Sequence, residues 1–190
     1  MDDENDRKNI VIGVSNVDAQ IRGEQELIAI REKANRDALT GVKSKHAYMD
    51  DVEKINLEIT GQTMQPFSVA VCEVNGLKGV NDTQGHQAGD KLIKDACHII
   101  CEVFKHSPVY RTGGDEFVAI LRGQDYSQQD RLLAEMQEIN QKHRISGEVI
   151  IACGSSKWNA GEDNSFDVVF ERADAEMYEN KSRLKASIAM

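Results

Sequence analysis

The stretch SPVYRTGGDEFVAILR at residues 107–122 decides the fold of this chain. Two apolar segments of strand length flank the pair Gly113-Gly114, and a glycine pair in that setting predicts a tight β-hairpin. Two acids, Asp115 and Glu116, come directly after the turn. Taken alone, this pattern leaves open whether the hairpin is functional or an ordinary exposed turn.

A second apolar run predicts the central strand of the same sheet. FSVAVCEV at 67–74 is almost continuously apolar, which is typical of a strand that is covered on both faces. A polar stretch marked by glycines follows at 75–89, and it leads into a helix predicted from Asp90 to Phe104.

The remaining patterns complete an alternating order of elements. Helices are predicted at 45–59, at 127–143 with Ser127 as the N-cap, and at 166–185, and a strand is predicted at 149–156. From residue 67 the order is strand, helix, strand, strand, helix, strand, helix. This order predicts an α+β fold with a ferredoxin-like, palm-like β-α-β-β-α-β core, in which helices flank a central antiparallel sheet.

The N-terminal residues have a different pattern. IVIGVSNV at 10–17 reads as a short strand without a partner strand, so we expect residues 1–17 to be the remnant of an upstream unit. Residues 18–36 are helical in composition, and Leu27, Ile30 and Ala34 supply about one heptad of apolar seam. The pattern predicts a connector helix at 18–36, followed by the main domain at 37–190.

Composition and charge limit the classes of partner. The chain has 190 residues, enough for one ordinary domain, and its 23 basic and 32 acidic residues give a net charge of -9. That charge disfavours nucleic acid as a partner. No apolar run approaches membrane-spanning length, and MDDENDRKN at 1–9 does not resemble an export signal. We therefore expect a cytoplasmic location and no membrane contact by this fragment.

Four cysteines, at 72, 97, 101 and 153, are expected to be reduced in that compartment. Cys97, His98 and Cys101 form part of a zinc-binding pattern. However, Cys97 and Cys101 are one helical turn apart within an apolar pattern, and no second ligand pair follows. We therefore expect these cysteines to pack in the core.

Three separate segments are predicted to meet at one edge of the sheet: the end of the first strand at Glu73, the hairpin tip at 113–116, and the last helix. Carboxylates from Glu73 and Asp115 would lie close together, which is costly unless a divalent cation neutralises them. Glycines at the tip allow backbone N–H groups to approach a phosphate. The sequence therefore predicts a site for magnesium and phosphate.

Four motifs in order resemble the GGDEF domain of diguanylate cyclases. They are DALTG at 37–41, CEVNGLKGVNDTQGHQAGD at 72–90, RTGGDEF at 111–117 and ERADAEMYENKSRLK at 171–185. The resemblance implies a cyclase-palm fold and the condensation of two GTP into cyclic di-GMP, with release of two pyrophosphates. It also implies magnesium, with manganese as the alternative, and a homodimer, because each domain holds one GTP.

The resemblance also implies roles for individual residues. The metal ligands would be Glu73, the Val74 carbonyl, Asp115 and Glu116; Asp115 is also a proposed proton acceptor, although a metal-bound carboxylate is a poor base. Lys78 would offset charge in the transition state. The phosphates would contact Gly113, Gly114, Lys181 and Lys185, the two lysines being one helical turn apart.

Asn81 and Asp90 match the pair that recognises guanine. A carboxylate accepts from guanine N1–H and the amino group together, and adenine lacks that pair of donors. Two structural alternatives remain open: Asp90 as a helix N-cap and Asn81 as a turn former. His86, between them, is expected to make a structural hydrogen bond.

Some positions depart from the family pattern. Glu73 replaces the usual aspartate, Asn75 replaces the second acid of that strand end, and Phe104 and Ser107 replace the Arg-x-x-Asp motif for product inhibition. We therefore expect no inhibition through that motif. IVIGVSNVDAQIRGE at 10–24 resembles the end of a PAS sensor domain, so an upstream sensor is an expected partner.

Three functions remain in competition. The first is a dimerisation-dependent diguanylate cyclase acting as an output domain. The second, motivated by the longer side chain of Glu73, is a GTP-binding or regulatory interaction module with negligible turnover. The third is a scaffold whose connector helix pairs sensor subunits. An assay with GTP distinguishes them. Formation of product supports the first function, GTP binding without product supports the second, and absence of GTP binding leaves the third.

Overall fold

A computed structural model describes residues 20–26, 28 and 30–186. The strand predicted at 10–17 and the start of the predicted connector helix lie outside these residues. Helix α1 comprises residues 20–26, 28 and 30–34, and it exposes Ile21, Ile28 and Ile30. Within the described part of the chain, no helix is long and apolar enough to cross a membrane.

The rest of the described chain forms four strands and six helices after α1. They are α2 Lys45–Thr60, β1 Ser68–Val74, α3 Leu77–Gln84, α4 His86–Val103, β2 Val109–Arg111, β3 Glu116–Leu121, α5 Gly123–Ser127, α6 Gln129–Ser146, β4 Ile151–Lys157 and α7 Phe166–Ala186. The strands form one antiparallel sheet in the order β2-β3-β1-β4. This arrangement confirms the predicted α+β class and its β-α-β-β-α-β core.

Strand β1 separates two hydrophobic cores. Ala70, Cys72 and Val74 belong to the core that contains α4 and α6, whereas Val69 and Val71 belong to the core that contains α2 and α7. Alternating side chains of one strand are therefore buried on both faces of the sheet. This is why the sequence of β1 is almost continuously apolar.

The outer edge of β4 is covered by side-chain amides. Asn140 of α6 donates from Nδ2 to the Ile151 carbonyl (2.7 Å) and accepts from Ile151 N–H at Oδ1 (2.9 Å). Asn180 of α7 accepts from Cys153 N–H at Oδ1 (3.1 Å). These bonds satisfy backbone groups that an edge strand otherwise presents to another chain.

Helix α7 lies unusually close to this edge. A Cβ atom added to Gly154 would be 2.1 Å from the Met177 backbone nitrogen and 2.5 Å from the Ala173 carbonyl oxygen. Only glycine allows the helix backbone to approach β4 so closely. The approach brings the C-terminal half of α7 towards the end of β1.

The polar stretch 75–89 is more helical than predicted. It contains α3 and the start of α4, which begins at His86 and not at Asp90. Gly85 separates the two helices with a φ of 83°, in the region that favours glycine. Most polar residues of this stretch are exposed on α3 and on the first turn of α4, so their polarity did not indicate a loop.

The predicted N-cap at Ser127 is wrong. Ser127 is the last residue of α5, and its hydroxyl donates to the Gln124 carbonyl (2.8 Å). Helix α6 begins at Gln129, and its cap residue Gln128 makes no side-chain cap bond. A serine near the start of a helix indicates the N-cap only when its hydroxyl is not already hydrogen-bonded within a preceding turn.

The cysteines on α4 pack as predicted. Cys97 is buried in the core and Cys101 is partly buried against it. All four cysteines are free thiols. The described residues contain no group of three or more histidine, cysteine, aspartate or glutamate side chains that could hold a metal ion.

Candidate functional site

The end of β1 meets the hairpin tip, as the sequence predicted. Val74 N–H donates to the Asp115 carbonyl (2.9 Å), and Glu73 lies opposite Glu116 in the β1–β3 register. The Asp115 side chain is half-buried and makes no hydrogen bond or ion pair with other described residues. Backbone pairing thus brings the two predicted metal ligands, Glu73 and Asp115, to the same end of neighbouring strands.

Helix α7 reaches the same end through Lys181. Its ammonium group donates to Glu73 Oε1 and forms an ion pair with it. The side chains of Lys181 and Glu73 are only 22% and 17% exposed, so solvent screens the pair weakly. Lys185, one turn further along, is exposed, and its side chain has no partner among the described residues.

The hairpin tip is wider than the predicted tight turn, because residues 112–115 separate β2 from β3. Neither Gly113 nor Gly114 adopts a positive φ among the described residues. A Cβ at Gly113 would lie 2.6 Å from Glu116 Oε2, whereas a Cβ at Gly114 would meet no atom within 4 Å. Gly113 therefore makes room for the Glu116 carboxylate, and Gly114 leaves open space for an approaching ligand.

An ion pair that the sequence analysis missed holds the tip. Arg111 donates to the Gly114 carbonyl from Nη2 (2.7 Å) and to Asp37 Oδ1 from Nη1 (3.1 Å). Asp37 also accepts from the backbone N–H and the hydroxyl of Thr40 (2.9 and 2.6 Å). Burial raises the pKa of Asp37, but the hydrogen bonds from Thr40 and Arg111 outweigh it, so the pKa lies below its usual value. The only sequence signal was the opposite charge of two residues in separate motifs.

The helices α3 and α4 carry the predicted base-recognition residues. A Cβ at Gly89 would lie 2.0 Å from Asn81 Oδ1, so glycine allows the Asn81 side chain to lie against α4. Asp90 follows Gly89 directly and is exposed. The structure therefore brings Asn81 and Asp90 to one place on two helices.

The two structural alternatives for this pair are wrong. Asn81 lies inside α3 and does not form a turn, and Asp90 lies in the second turn of α4, whose cap position is Gly85. Lys78 and His86 are exposed on the same helices. Among the described residues, His86 makes no side-chain hydrogen bond.

Asn75 is a further residue whose environment the sequence did not indicate. Its side-chain Oδ1 and Nδ2 are buried without a hydrogen-bond partner among the described residues, while its backbone N–H donates to the Ile150 carbonyl (2.9 Å). Leaving a buried amide unpaired costs about 1–3 kcal/mol per group. An unpaired amide two residues from Glu73 is suited to a bound polar ligand.

The oxygen donors suit a divalent cation that is shared with a substrate. Glu73 and Asp115 supply carboxylates, the Val74 carbonyl is adjacent, and Glu116 lies at the tip. Magnesium commonly takes one or two carboxylates and completes its shell with phosphate oxygens and water. The described residues form no cluster of three or more acidic, histidine or cysteine ligands, so the ion would take the rest of its ligands from the substrate and from water, not from an all-protein cage.

The positions of the family's product-inhibition motif have structural roles here. Phe104 is completely buried in the core, and the Ser107 hydroxyl donates to Asp125 Oδ2 (2.8 Å). Asp125 is itself buried and also accepts from His106 N–H (3.0 Å). Neither Phe104 nor Ser107 offers the charged group with which an arginine or an aspartate would bind a nucleotide.

This sheet, with carboxylates at the end of its central strand and at the adjacent hairpin, defines a domain of the cyclase-palm class. The family model "Diguanylate cyclase, GGDEF domain" matches residues 34–187. The chain therefore belongs to the GGDEF domain family of diguanylate cyclases.

Individual relatives agree with this assignment. The chain is 26% identical to diguanylate cyclase A of Treponema denticola over 184 residues, which is 92% of this chain and 48% of the relative. It is 28% identical to diguanylate cyclase DgcZ of Escherichia coli over 159 residues, 82% of this chain and 52% of the relative. The chain thus spans about half the length of the curated relatives it matches.

A solved structure extends the likeness beyond the globular domain. The crystal structure of the coiled coil and GGDEF domain of DgcB from Caulobacter crescentus in complex with c-di-GMP matches with a TM-score of 0.72 and 25% identity. The match covers 91% of this chain and 94% of that chain.

Proposed function

We propose that this domain condenses two GTP into cyclic di-GMP and releases two pyrophosphates. The observation that carries the proposal is the meeting of Glu73, Asp115 and the glycine tip with Lys181 at one end of the sheet, in a chain of the GGDEF family. Support also comes from the names of the relatives, which are diguanylate cyclases, and from the DgcB structure, which contains c-di-GMP.

The acids at the strand ends would hold a divalent cation. Glu73, Asp115 and the Val74 carbonyl are the proposed ligands, with Glu116 as a further one; we favour magnesium over manganese. When bound, the ion neutralises phosphate charge and makes a coordinated hydroxyl more acidic. Asp115 contributes mainly as a ligand, since a carboxylate that binds a cation is a weak proton acceptor.

The surrounding residues would bind the triphosphate. Gly114 leaves open space at the tip for a phosphate to approach the backbone, with Gly113 beside it, and Lys181 with Lys185 supplies positive charge from α7. Lys181 forms an ion pair with Glu73, so binding a phosphate oxygen would require Lys181 to exchange this carboxylate for the phosphate. Lys78 at the start of α3 would offset charge that grows on the reacting phosphoryl group.

Asn81 and Asp90 would select guanine. Both are placed on adjoining surfaces of α3 and α4, and neither has a side-chain hydrogen bond with another described residue. The Asp90 carboxylate would accept hydrogen bonds from guanine N1–H and the exocyclic amino group. The Asn81 amide would donate a hydrogen bond to the acceptor edge of the base.

The reaction would require two copies, because each domain holds one GTP. Helix α1 exposes Ile21 and Ile28, seven residues apart, which is the spacing of a coiled-coil seam. We propose that the connector helix at 18–36 pairs two chains, that the domain at 37–190 performs the chemistry, and that an upstream sensor domain controls it. Because GTP is the substrate, we place the domain in the cytoplasm.

A turnover assay with GTP and magnesium at high protein concentration, followed by chromatography of the products, tests the proposal. The expected products are cyclic di-GMP and pyrophosphate, with a rate per chain that rises with protein concentration. Asp115→Ala is the inactive control. If wild type shows no product under these conditions, it is not a diguanylate cyclase.

The second candidate is a GTP-binding regulatory module with weak or no turnover. It is favoured by one observation: the Glu73 carboxylate, one methylene longer than the family's aspartate, is already neutralised by Lys181. Equilibrium binding of GTP in the presence of magnesium, without product, would support this candidate over the cyclase.

A further inference from the structure

Two thiols face each other across the sheet, next to the candidate site. Cys72 of β1 lies directly opposite Cys153 of β4, and their Sγ atoms are 3.2 Å apart. Both are free thiols; Cys72 is completely buried, and Cys153 is partly exposed. No role of the GGDEF motifs described above involves this pair.

The backbone geometry brings the two side chains unusually close. The N–H of Val74 donates to the Asp115 carbonyl on the β3 side of β1. Because backbone groups alternate along a strand, Cys72, two residues earlier, also directs its N–H and C=O groups towards β3 and away from β4. Cys153 N–H donates to Asn180. The two cysteines therefore form a non-hydrogen-bonded pair, and in such pairs the Cα atoms are typically about 4.5 Å apart. A disulfide bridges Cα separations of about 4.4–6.8 Å, so this pair can be linked without separating the strands.

One of the thiols can be reached from outside. Cys153 and Gly154 line a cavity of about 240 Å³ between α6 and α7, together with Met136 and Asn140. Cys72, opposite Cys153 on the neighbouring strand, does not line this cavity and has no exposed surface. A small oxidant that enters this α6–α7 cavity therefore meets Cys153 first.

We propose that Cys72 and Cys153 are a redox-active pair, in which a peroxide oxidises Cys153 and Cys72 converts the product into a cross-strand disulfide. In the first step the Cys153 sulfur attacks one oxygen of hydrogen peroxide, the O–O bond breaks, and water leaves, so that a sulfenic acid forms. In the second step the Cys72 sulfur attacks the Cys153 sulfur, and the S–O bond breaks. A second water leaves with the Cys72 proton, so two thiols and one peroxide give one disulfide and two waters.

Oxidation of this pair acts on the candidate site through short connections. Cys72 directly precedes Glu73 in β1. The backbone N–H of Cys153 donates a hydrogen bond to the Asn180 side chain, and Asn180 directly precedes Lys181 in α7. Forming the disulfide shortens the Sγ–Sγ separation from 3.2 Å to about 2.05 Å, so β1 and β4 stay paired but adjust locally. We expect this adjustment to reach both members of the Glu73–Lys181 ion pair and to lower GTP turnover. This consequence rests on the proposed function, whereas formation of the disulfide does not.

The second cysteine pair is an internal control. Cys97 and Cys101 are four residues apart on α4, where Cβ atoms lie about 5–6 Å apart. This exceeds the Cβ separation of about 3.5–4.5 Å in disulfides. We therefore expect Cys97 and Cys101 to remain unlinked under conditions that link Cys72 to Cys153.

Peptide mapping tests the proposal on the whole chain. The protein is treated with hydrogen peroxide, alkylated and digested, and the peptides are weighed before and after reduction with dithiothreitol. The expected result is a peptide pair joined through Cys72 and Cys153 that separates on reduction, with Cys97 and Cys101 alkylated. Two results would overturn the proposal. One is a Cys72 that carries no disulfide in protein whose Cys153 is oxidised, and the other is a disulfide that involves Cys97 or Cys101.

Two variants define the order of the steps. In Cys72→Ala, peroxide should leave a sulfenic acid on Cys153 that dimedone labels; in Cys153→Ala, Cys72 should stay a thiol. Labelling of Cys72 in Cys153→Ala would show that the assigned order is wrong. If either variant fails to fold, dimedone added to wild type during oxidation decides the order, since it should label Cys153 and not Cys72.

Turnover measurements separate this inference from the proposed function. After treatment with peroxide, wild type and Cys101→Ala should lose at least half of their GTP turnover and regain it with dithiothreitol. Cys153→Ala, treated in the same way, should keep the turnover rate that it had before treatment. Unchanged turnover in disulfide-linked protein would overturn the effect on the site. A disulfide in protein that never turns over GTP would confirm the thiol pair and contradict the proposed function.

Discussion

The two ends of the candidate site differ in how fully their polar groups are satisfied. At the phosphate end, defined by Glu73, Asp115, Gly113, Gly114 and Lys181, the Glu73 carboxylate is paired and Arg111 holds the tip, and of these side chains only that of Asp115 lacks a partner among the described residues. At the base end, defined by Asn81 and Asp90, neither side chain has a hydrogen-bond partner among the described residues.

This difference separates two kinds of contribution. The phosphate end is organised before substrate arrives, so its residues should affect mainly the rate of the chemical step. The base end gains its partners from the ligand, so its residues should affect mainly affinity and the choice of base. The predictions below test this division, beginning with the largest expected effect.

Asp115→Ala should reduce GTP turnover by at least about 10³-fold, because it removes a carboxylate from the point where β1 meets the tip. Initial rates with magnesium measure the loss. Asp174→Ala, on the exposed surface of α7, is the matched control and should leave the rate unchanged. Undiminished product from Asp115→Ala would contradict the role of the phosphate end.

Arg111→Ala should reduce turnover by about 10- to 100-fold, since the tip then loses its bonds to the Gly114 carbonyl and to Asp37. GTP affinity should change less than the rate. Asp37→Asn should have a similar but smaller effect, and the double variant should lose less than the two single losses combined. Fully additive losses would show that the two residues act independently.

Asp90→Ala should weaken GTP binding by about 10- to 100-fold and leave ATP binding unchanged, because only guanine offers this carboxylate an N1–H and an amino group together. Competition of each nucleotide with a fluorescent GTP analogue measures both affinities. The control is Asp95→Ala, five residues along the same helix and exposed. Equal losses of affinity for GTP and ATP would show that Asp90 does not recognise the base. They would also contradict the proposed division of roles between the phosphate end and the base end.

Glu73→Asp should keep turnover or raise it by up to about tenfold. The shorter carboxylate matches the family's usual ligand and lies further from Lys181, which then binds phosphate without first leaving an ion pair. Rates at several magnesium concentrations give the comparison, and Glu73→Gln, which keeps the length but not the charge, is the control. A large loss in Glu73→Asp would show that this account of the metal ligand is wrong.

The sequence alone predicted the sheet and the segments that meet at its end. The apolar run of β1, the glycine pair before Asp115 and the periodic pattern of α7 are local features, and local features carry strand and helix preferences. The helices α3 and α5 were missed for the same reason, because short polar helices have little apolar periodicity to detect.

The contacts between distant segments were decided by the tertiary structure. Asp37 is paired with Arg111, Glu73 with Lys181, and Cys72 lies opposite Cys153; each pair is separated by more than 70 residues of chain. No periodicity relates such positions, since their distance depends on strand register and on how closely α7 approaches β4 at Gly154. The sequence by itself determined which chemical groups this domain possesses, and only packing determined which of them meet, because packing is a property of the whole chain.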